Sequence, residues 1–163
     1  MPTRQAKTAA LVHWKQHGTV SVWRYTGNAR GFDGWHVTAD ADGGRSLLAL
    51  IDLLTEVNDV SLYRTLKVMH PTPAILRVPN HRDTPVIAPA RWRLRYAQDH
   101  EDWSLVADGD VLECVLGEAR MREVRASVEA MLRGDGDFAI GTARKRRPDR
   151  HLLWFWWWPK AQS

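Results

Sequence analysis

Basic residues are concentrated in one short segment near the end of the sequence. Five of the 23 lysines and arginines fall within residues 144–150, together with one acidic residue, Asp149. The net charge of this basic segment is therefore +4, which equals the net charge of the whole chain. Guanidinium groups present forked donors that suit carboxylate and phosphate groups. We expect an anion-binding site in the basic segment, at Arg144, Lys145, Arg146, Arg147 and Arg150.

A second group of arginines alternates with apolar residues in RWRLRY, residues 91–96. Alternate side chains of a β-strand point to opposite faces of the sheet, so the arginines form a row if the other three residues face the core. The row extends the basic patch if its strand lies beside the strands that flank the basic segment. Otherwise, its arginines pair with acidic residues such as Glu113. The row consists of Arg91, Arg93 and Arg95.

Two histidines next to acidic residues are the best candidates for catalysis. His36 follows Asp33, and His100 lies between Asp99 and Glu101. A histidine and a carboxylate can act together as general acid and base. No serine or cysteine is linked to either histidine by a known catalytic pattern, and polar turns account for both groups. We therefore assign no catalytic residue.

Metal and cofactor chemistry has little support in the sequence. Three Asp-x-Asp pairs adjoin glycines, beginning at Asp40, Asp108 and Asp135, where aspartate and glycine are the usual turn residues. The histidines lack zinc-site spacing, and no glycine-rich phosphate loop is present. The single cysteine, Cys114, lies in the apolar run VLECVL, where a thiol usually packs as a small hydrophobe. We expect no metal and no cofactor.

Length and composition predict one soluble domain, covering residues 1–163. The hydrophobic fraction is 44% and the charged fraction is 26%, as in ordinary globular proteins. One cysteine excludes an internal disulfide, which is compatible with a cytoplasmic location. No apolar stretch is long enough for a signal-peptide core or a membrane span. We therefore expect a cytoplasmic protein that is not embedded in a membrane.

Hydrophobic periodicity predicts an α+β fold: a mainly antiparallel sheet with two helices packed on one face. One helix follows DADGG (residues 40–44), and the other covers residues 118–133. The pattern R-Y-loop-W-x-apolar-x-A-D occurs twice, which suggests an internal repeat over residues 19–69 and 91–158. Each half would then contain a strand–strand–helix–strand unit.

The tryptophan-rich run HLLWFWWWP follows the basic segment directly. Contiguous apolar residues are typical of a strand buried on both faces, so we expect these tryptophans to belong to the core. The functional expectation therefore rests on the basic segment. We expect a non-catalytic binding module that engages an acidic protein partner. The alternatives are nucleic-acid binding through the same basic and aromatic surface, and a small enzyme of unknown reaction type.

Overall fold

The computed structural model describes residues 2–26, 33–80, 84–101, 103–141 and 152–160. Within these ranges the chain has the expected α+β fold, with four helices and two sheets. None of the described helices is both long and apolar enough to cross a bilayer. The helices are α1 (Arg4–His13), α2 (Ala41–Val57), α3 (Pro73–Arg77) and α4 (Glu118–Leu132). The strands are β1 (Val20–Tyr25), β2 (Trp35–Ala39), β3 (Tyr63–Lys67), β4 (Val86–Ile87), β5 (Arg91–Tyr96), β6 (Trp103–Asp108), β7 (Val111–Leu116), β8 (Phe138–Gly141) and β9 (Leu152–Phe155).

The strands form two sheets that are mainly, but not wholly, antiparallel. The five-stranded sheet has the order β4-β1-β2-β9-β8, and the four-stranded sheet has the order β3-β5-β7-β6. Each sheet contains one parallel pairing, β2 with β9 in the first and β5 with β7 in the second. The other described pairings are antiparallel.

The two sheets meet where the chain leaves β3. The backbone N–H of Met69 donates to the carbonyl oxygen of Val20 (2.9 Å), and the Ser21 hydroxyl donates to the Met69 carbonyl oxygen (2.7 Å). Helix α2 contacts β2 of one sheet and β5 of the other, while α4 contacts α2 and β9. The inner faces of both sheets and the apolar stripes of α2 and α4 therefore share one hydrophobic core.

The strand pairing has an internal regularity. The antiparallel pair β1–β2, helix α2 and the antiparallel pair β3–β5 follow the same order as the pair β6–β7, helix α4 and the pair β8–β9, although α3 and β4 lie between β3 and β5. This correspondence relates β1–β2 to β6–β7, whereas the sequence pattern matched β1–β2 to β5–β6. The duplication of residues 19–69 and 91–158 therefore stays a prediction.

Helix α2 begins earlier than its glycines suggest. The carboxylate of Asp40 caps it by accepting from the backbone N–H of Gly43 (2.7 Å), so DADGG is the first helical turn and not a separate loop. Gly43 is required by close packing, because a Cβ atom there would lie 2.2 Å from the Thr19 carbonyl oxygen. Packing against β1 thus overrides the low helix propensity of glycine.

Two regions expected to be irregular contain helices. The sequence predicts a loose end over residues 1–10 and a short helical turn over residues 11–16, whereas residues 4–13 form α1, which Thr3 caps through its side chain and which packs on α2. The proline-rich connector of residues 70–90 contains α3 besides its short strand β4. Thr72 caps α3, and Pro73 stands in its first turn, where proline is tolerated because no N–H is needed.

Strand β9 contributes to both faces of its sheet, as its apolar run predicted. Leu153 and Phe155 lie in the main core. Trp154 and Trp156 belong to a second apolar cluster on the opposite face, which α3 covers with Ile75.

Candidate functional site

The basic segment lies outside the described residues, but its two points of attachment are described. The chain enters it after β8 and leaves it into β9, and Gly141 and Leu152 are Cα partners in that hairpin. Both strands belong to the five-stranded sheet. The side chains of Arg144, Lys145, Arg146, Arg147 and Arg150 therefore have no structural description here.

The arginines of β5 form the expected row, on the side of the four-stranded sheet that faces away from the core. Their apolar neighbours, such as Trp92 and Leu94, are buried on the inner side. Cross-strand pairing brings residues of β3 and β7 to the same outer side. We call this surface the arginine face, and it comprises Tyr63, Thr65, Lys67, Arg91, Arg93, Arg95 and Glu113.

Two arginines of this face share one carboxylate. Nη1 of Arg93 lies 3.3 Å from Oε2 of Glu113, and Nε of Arg95 lies 3.9 Å from Oε1. Arg91 instead pairs with Asp110 in the turn before β7, at 3.1 Å. The sequence-based alternative that these arginines pair with acidic residues such as Glu113 is thus confirmed.

The same two guanidinium groups are held over the ring of Tyr63. Their central carbons lie 4.6 Å (Arg93) and 4.8 Å (Arg95) from the ring centroid. Arg95 also donates from Nη1 to the carbonyl oxygen of Val60, at 2.6 Å. A cation–π contact stabilises by about 0.5–1 kcal/mol at an exposed site. The arginine side chains are therefore ordered before any partner arrives.

The arginine face carries more positive than negative charge. Glu113 is the carboxylate for both Arg93 and Arg95, and within the described residues Lys67 forms no ion pair. Arg93 is 28% exposed and Glu113 is 35% exposed, so solvent screens their attraction. Such pairs contribute about 0–1 kcal/mol each, which leaves the guanidinium groups open to exchange of partner.

The strands of the arginine face are not neighbours of the strands that flank the basic segment. The expected extension of the basic patch required β5 to lie beside β8 or β9, but the neighbours of β5 are β3 and β7. The strands that flank the basic segment are in the other sheet. The strand that carries Arg91, Arg93 and Arg95 and the strands that flank the basic segment therefore belong to different sheets.

His36 is a buried structural residue. It lies on β2 between its Cα partners, Trp23 on β1 and Trp154 on β9, and its ring is fully buried. Its ring stacks on both indoles, with centroid distances of 5.5 and 6.0 Å. The indole N–H of Trp156 donates to Nδ1 of His36 (3.0 Å), so this nitrogen must be unprotonated. The side chain is shielded from any substrate.

The second histidine candidate lies apart from the first. His100 is exposed in the turn after β5, where its backbone N–H donates to the Ala97 carbonyl oxygen (2.9 Å). His36 lies in the five-stranded sheet and His100 lies beside a strand of the other sheet, so they do not form one site.

Tyr25 lies edge-on to His36, with a ring-centroid distance of 4.9 Å. Burial raises the pKa of the Tyr25 hydroxyl, and the Trp23 side chain acts in the opposite direction.

Cys114 is a packing residue, as its apolar surroundings predicted. Its sulfur accepts a hydrogen bond from the indole N–H of Trp92 (2.9 Å) in the main core. Burial raises the pKa of its thiol to about 12, although the Trp92 bond lowers it. A protonated and enclosed thiol is a poor nucleophile.

The Asp-x-Asp pairs act in capping and surface ion pairing. Asp40 caps α2 and also accepts from the backbone N–H of Thr19 (2.9 Å). Asp110 pairs with Arg91 and Asp135 with Arg133. Among the described residues, no three histidine, cysteine or acidic side chains come together as a metal site.

Sequence reasoning did not find Tyr63 and Lys67 as parts of the surface. The run VSLYRTLKVM, residues 60–69, predicts a strand, and the alternation of Tyr63, Thr65 and Lys67 within it was a usable signal for a shared face. What the pattern did not contain was the pairing of this strand with β5.

The comparisons with family models, curated proteins and solved structures found no match, so any functional proposal depends on this geometry and on the sequence.

Proposed function

We propose that this protein is a non-catalytic binding module that engages an acidic protein partner. The basic segment is the main contact, and the observation that carries the proposal is that this segment holds the whole net charge of the chain. It is inserted between two paired strands, at Gly141 and Leu152, so a folded hairpin supports both of its ends. A positive charge that is confined to one segment of an otherwise neutral chain favours a partner with a complementary acidic patch.

The arginine face supports the same function as a second cationic surface. Arg93 and Arg95 are already ordered by Tyr63 and Glu113. Binding to ordered side chains loses less conformational entropy than binding to mobile ones. An incoming carboxylate can therefore replace or supplement Glu113 at little entropic cost.

The positions of the reactive side chains favour binding over catalysis. His36 is enclosed by tryptophans, and its Nδ1 already accepts a hydrogen bond. Cys114 is buried, and its pKa is raised to about 12. His36 and Cys114 are thus engaged in packing, while His100 is exposed in a turn and apart from His36.

Nucleic-acid binding is the second candidate, and Tyr63 is the observation that favours it. Its ring is 42% exposed on an open sheet surface beside arginines, an arrangement that suits base stacking. However, the guanidinium groups of Arg93 and Arg95 lie within 5 Å of this ring centroid and compete with a base for its face. Glu113 and Asp110 would also repel phosphates. A protein partner is therefore favoured.

The proposal is tested by affinity capture from a nuclease-treated lysate, with captured proteins identified by mass spectrometry. In the first variant, Arg144, Lys145, Arg146 and Arg147 are all changed to glutamine. We expect it to retain the thermal stability of the wild type and to lose acidic partners that the wild type captures.

A matched control removes four charges from another surface. Arg4, Lys7, Lys15 and Arg45 lie on or next to α1 and α2 and are changed to glutamine together. This control should capture the same partners as the wild type. Equal capture by wild type and the first variant, or equal loss in both variants, would contradict the proposal.

A further inference from the structure

We propose that a groove between α3 and the residues after β9 binds a small planar aromatic anion. This aromatic groove is remote from the arginine face, because it lies at the outer surface of the five-stranded sheet. Its volume is about 690 Å³, within the range of about 300–1,000 Å³ that is usual for small-molecule sites.

The groove has a largely apolar wall with two tryptophans. Trp157 and Trp158 line it together with Ile75 of α3 and with Met69. Both tryptophans are only partly buried, so their ring surfaces remain accessible. Flat indole surfaces favour a planar aromatic ligand, and the methionine side chain can adapt to its edge.

Two cations border this apolar wall. Arg77 at the end of α3 and Lys160 after β9 both line the groove and are exposed. No carboxylate lines it among the described residues, and within that part of the chain neither cation forms an ion pair. Among the described residues nothing compensates the charge of the groove, which complements one anionic group on the ligand.

The tryptophan side of the groove is fixed by the sheet. The backbone N–H of Trp156 donates to Val37 (3.0 Å), and its carbonyl oxygen accepts from the Thr38 hydroxyl (2.9 Å). The ring of Trp156 is buried, and Trp157 packs edge-on against it with a centroid distance of 6.3 Å. Two hydrogen bonds to β2 thus fix the backbone directly before Trp157, and a ligand meets a preformed surface there.

The combination of size, aromatic wall and two unpaired cations identifies the chemical class of the ligand. A neutral aromatic compound would leave both cations without a partner, and a compact anion such as inorganic phosphate would leave the indoles uncovered. An aromatic carboxylate or sulfonate satisfies both parts of the groove.

The test compares two fluorescent probes that differ in charge. Anilinonaphthalene sulfonate is an aromatic anion with a planar naphthalene ring system, and N-phenylnaphthylamine has the same aromatic body without the sulfonate. We expect the wild type to bind the sulfonate about three- to tenfold more tightly than the neutral probe, the range expected for two exposed charge contacts. Equal affinities, or no binding of the sulfonate, would overturn the proposal.

Variants locate the binding. Changing Arg77→Gln with Lys160→Gln should abolish the preference for the sulfonate and leave binding of the neutral probe unchanged. Trp158→Ala should weaken the binding of both probes. The control is Arg4→Gln with Lys15→Gln, which removes the same charges from exposed positions on and next to α1. A loss of the preference in this control, or its survival in the groove variant, would refute the assignment.

Other occupants of the groove give different results. If a second copy of the chain covers it, sedimentation detects a dimer that Trp158→Ala dissociates. If an acidic protein occupies it, the Arg77 and Lys160 variant loses the captured partner while the basic-segment variant keeps it. Either result would overturn the small-molecule proposal.

Discussion

Replacing His36 with phenylalanine tests whether this histidine is a packing residue. The substitution keeps a flat ring between Trp23 and Trp154 but removes the acceptor for the indole N–H of Trp156. That indole is buried, so the lost 3.0 Å hydrogen bond leaves a donor without this acceptor. Such a loss costs about 1–3 kcal/mol in the free energy of unfolding. For a chain of this size, we expect the melting temperature to fall by about 2–4 °C per kcal/mol.

The assay is urea unfolding followed by circular dichroism, because tryptophan fluorescence would change with the aromatic cluster itself. A double-mutant cycle with Trp156→Phe isolates the pair, since each single variant removes one partner of the same bond. We expect a coupling of about 0.5–1.5 kcal/mol. The control His100→Asn lies at the exposed turn and should change stability by less than about 0.5 kcal/mol.

Two results would refute this account of His36. One is a phenylalanine variant as stable as the wild type, with no coupling to Trp156. The other is a variant that is stable but loses partner capture, which would give the histidine a functional role. We expect capture to be unchanged under conditions where the variant is folded.

Three further predictions concern other parts of the molecule. In the native protein at pH 8, Cys114 should resist thiol reagents and react only after unfolding. The pKa of the Cys114 thiol is about 12 in the folded protein, above its ordinary value of 9.0, so the free energy of unfolding should fall as the pH rises between these values. Cys114→Ala should remove this part of the fall in stability. Gly43→Ala should destabilise the fold by about 1–3 kcal/mol in the same urea assay, because its Cβ would meet the Thr19 carbonyl oxygen. Glu113→Gln should strengthen the binding of an acidic peptide, up to about fivefold in a titration, because it releases Arg93 and Arg95 from their shared carboxylate.

Each of these predictions has a result that would contradict it. Rapid reaction of Cys114 with a thiol reagent in the folded protein would show that the reagent reaches this part of the core. If Gly43→Ala unfolds at the same urea concentration as the wild type, the chain at Thr19 can move away from α2. Weaker binding of the acidic peptide by Glu113→Gln would show that Glu113 orders the arginines more than it competes for them.

Local periodicity predicted the elements whose burial alternates or follows one helix face. Strand β5 was predicted correctly because its alternate residues are buried, and α4 because its apolar stripe repeats at helical spacing. The start of α2 was missed because Gly43 and Gly44 resemble a turn in sequence, whereas contacts with Thr19 and Leu132 require them in the helix. Tertiary contact is the information that a local pattern lacks.

The site was predictable to a similar extent. Alternation placed Arg91, Arg93 and Arg95 on one outer face, and the pairing of Arg93 and Arg95 with Glu113 was one of two expected outcomes. The position of Tyr63 beneath two of these arginines depends on the long-range pairing of β3 with β5. The separation of β5 from the strands that flank the basic segment depends on the strand order, which no single segment encodes.

The most direct test of the binding proposal compares two labelled ligands of equal charge by fluorescence anisotropy. One is a peptide of ten glutamates and the other is a single-stranded thymidine oligonucleotide with ten phosphates. We predict that the wild type binds the peptide more tightly and that the basic-segment variant loses this binding, while the four-charge control retains it. Tighter binding of the oligonucleotide, with a log–log salt slope of about −0.7 per phosphate contacted, would contradict the proposal and favour nucleic-acid binding.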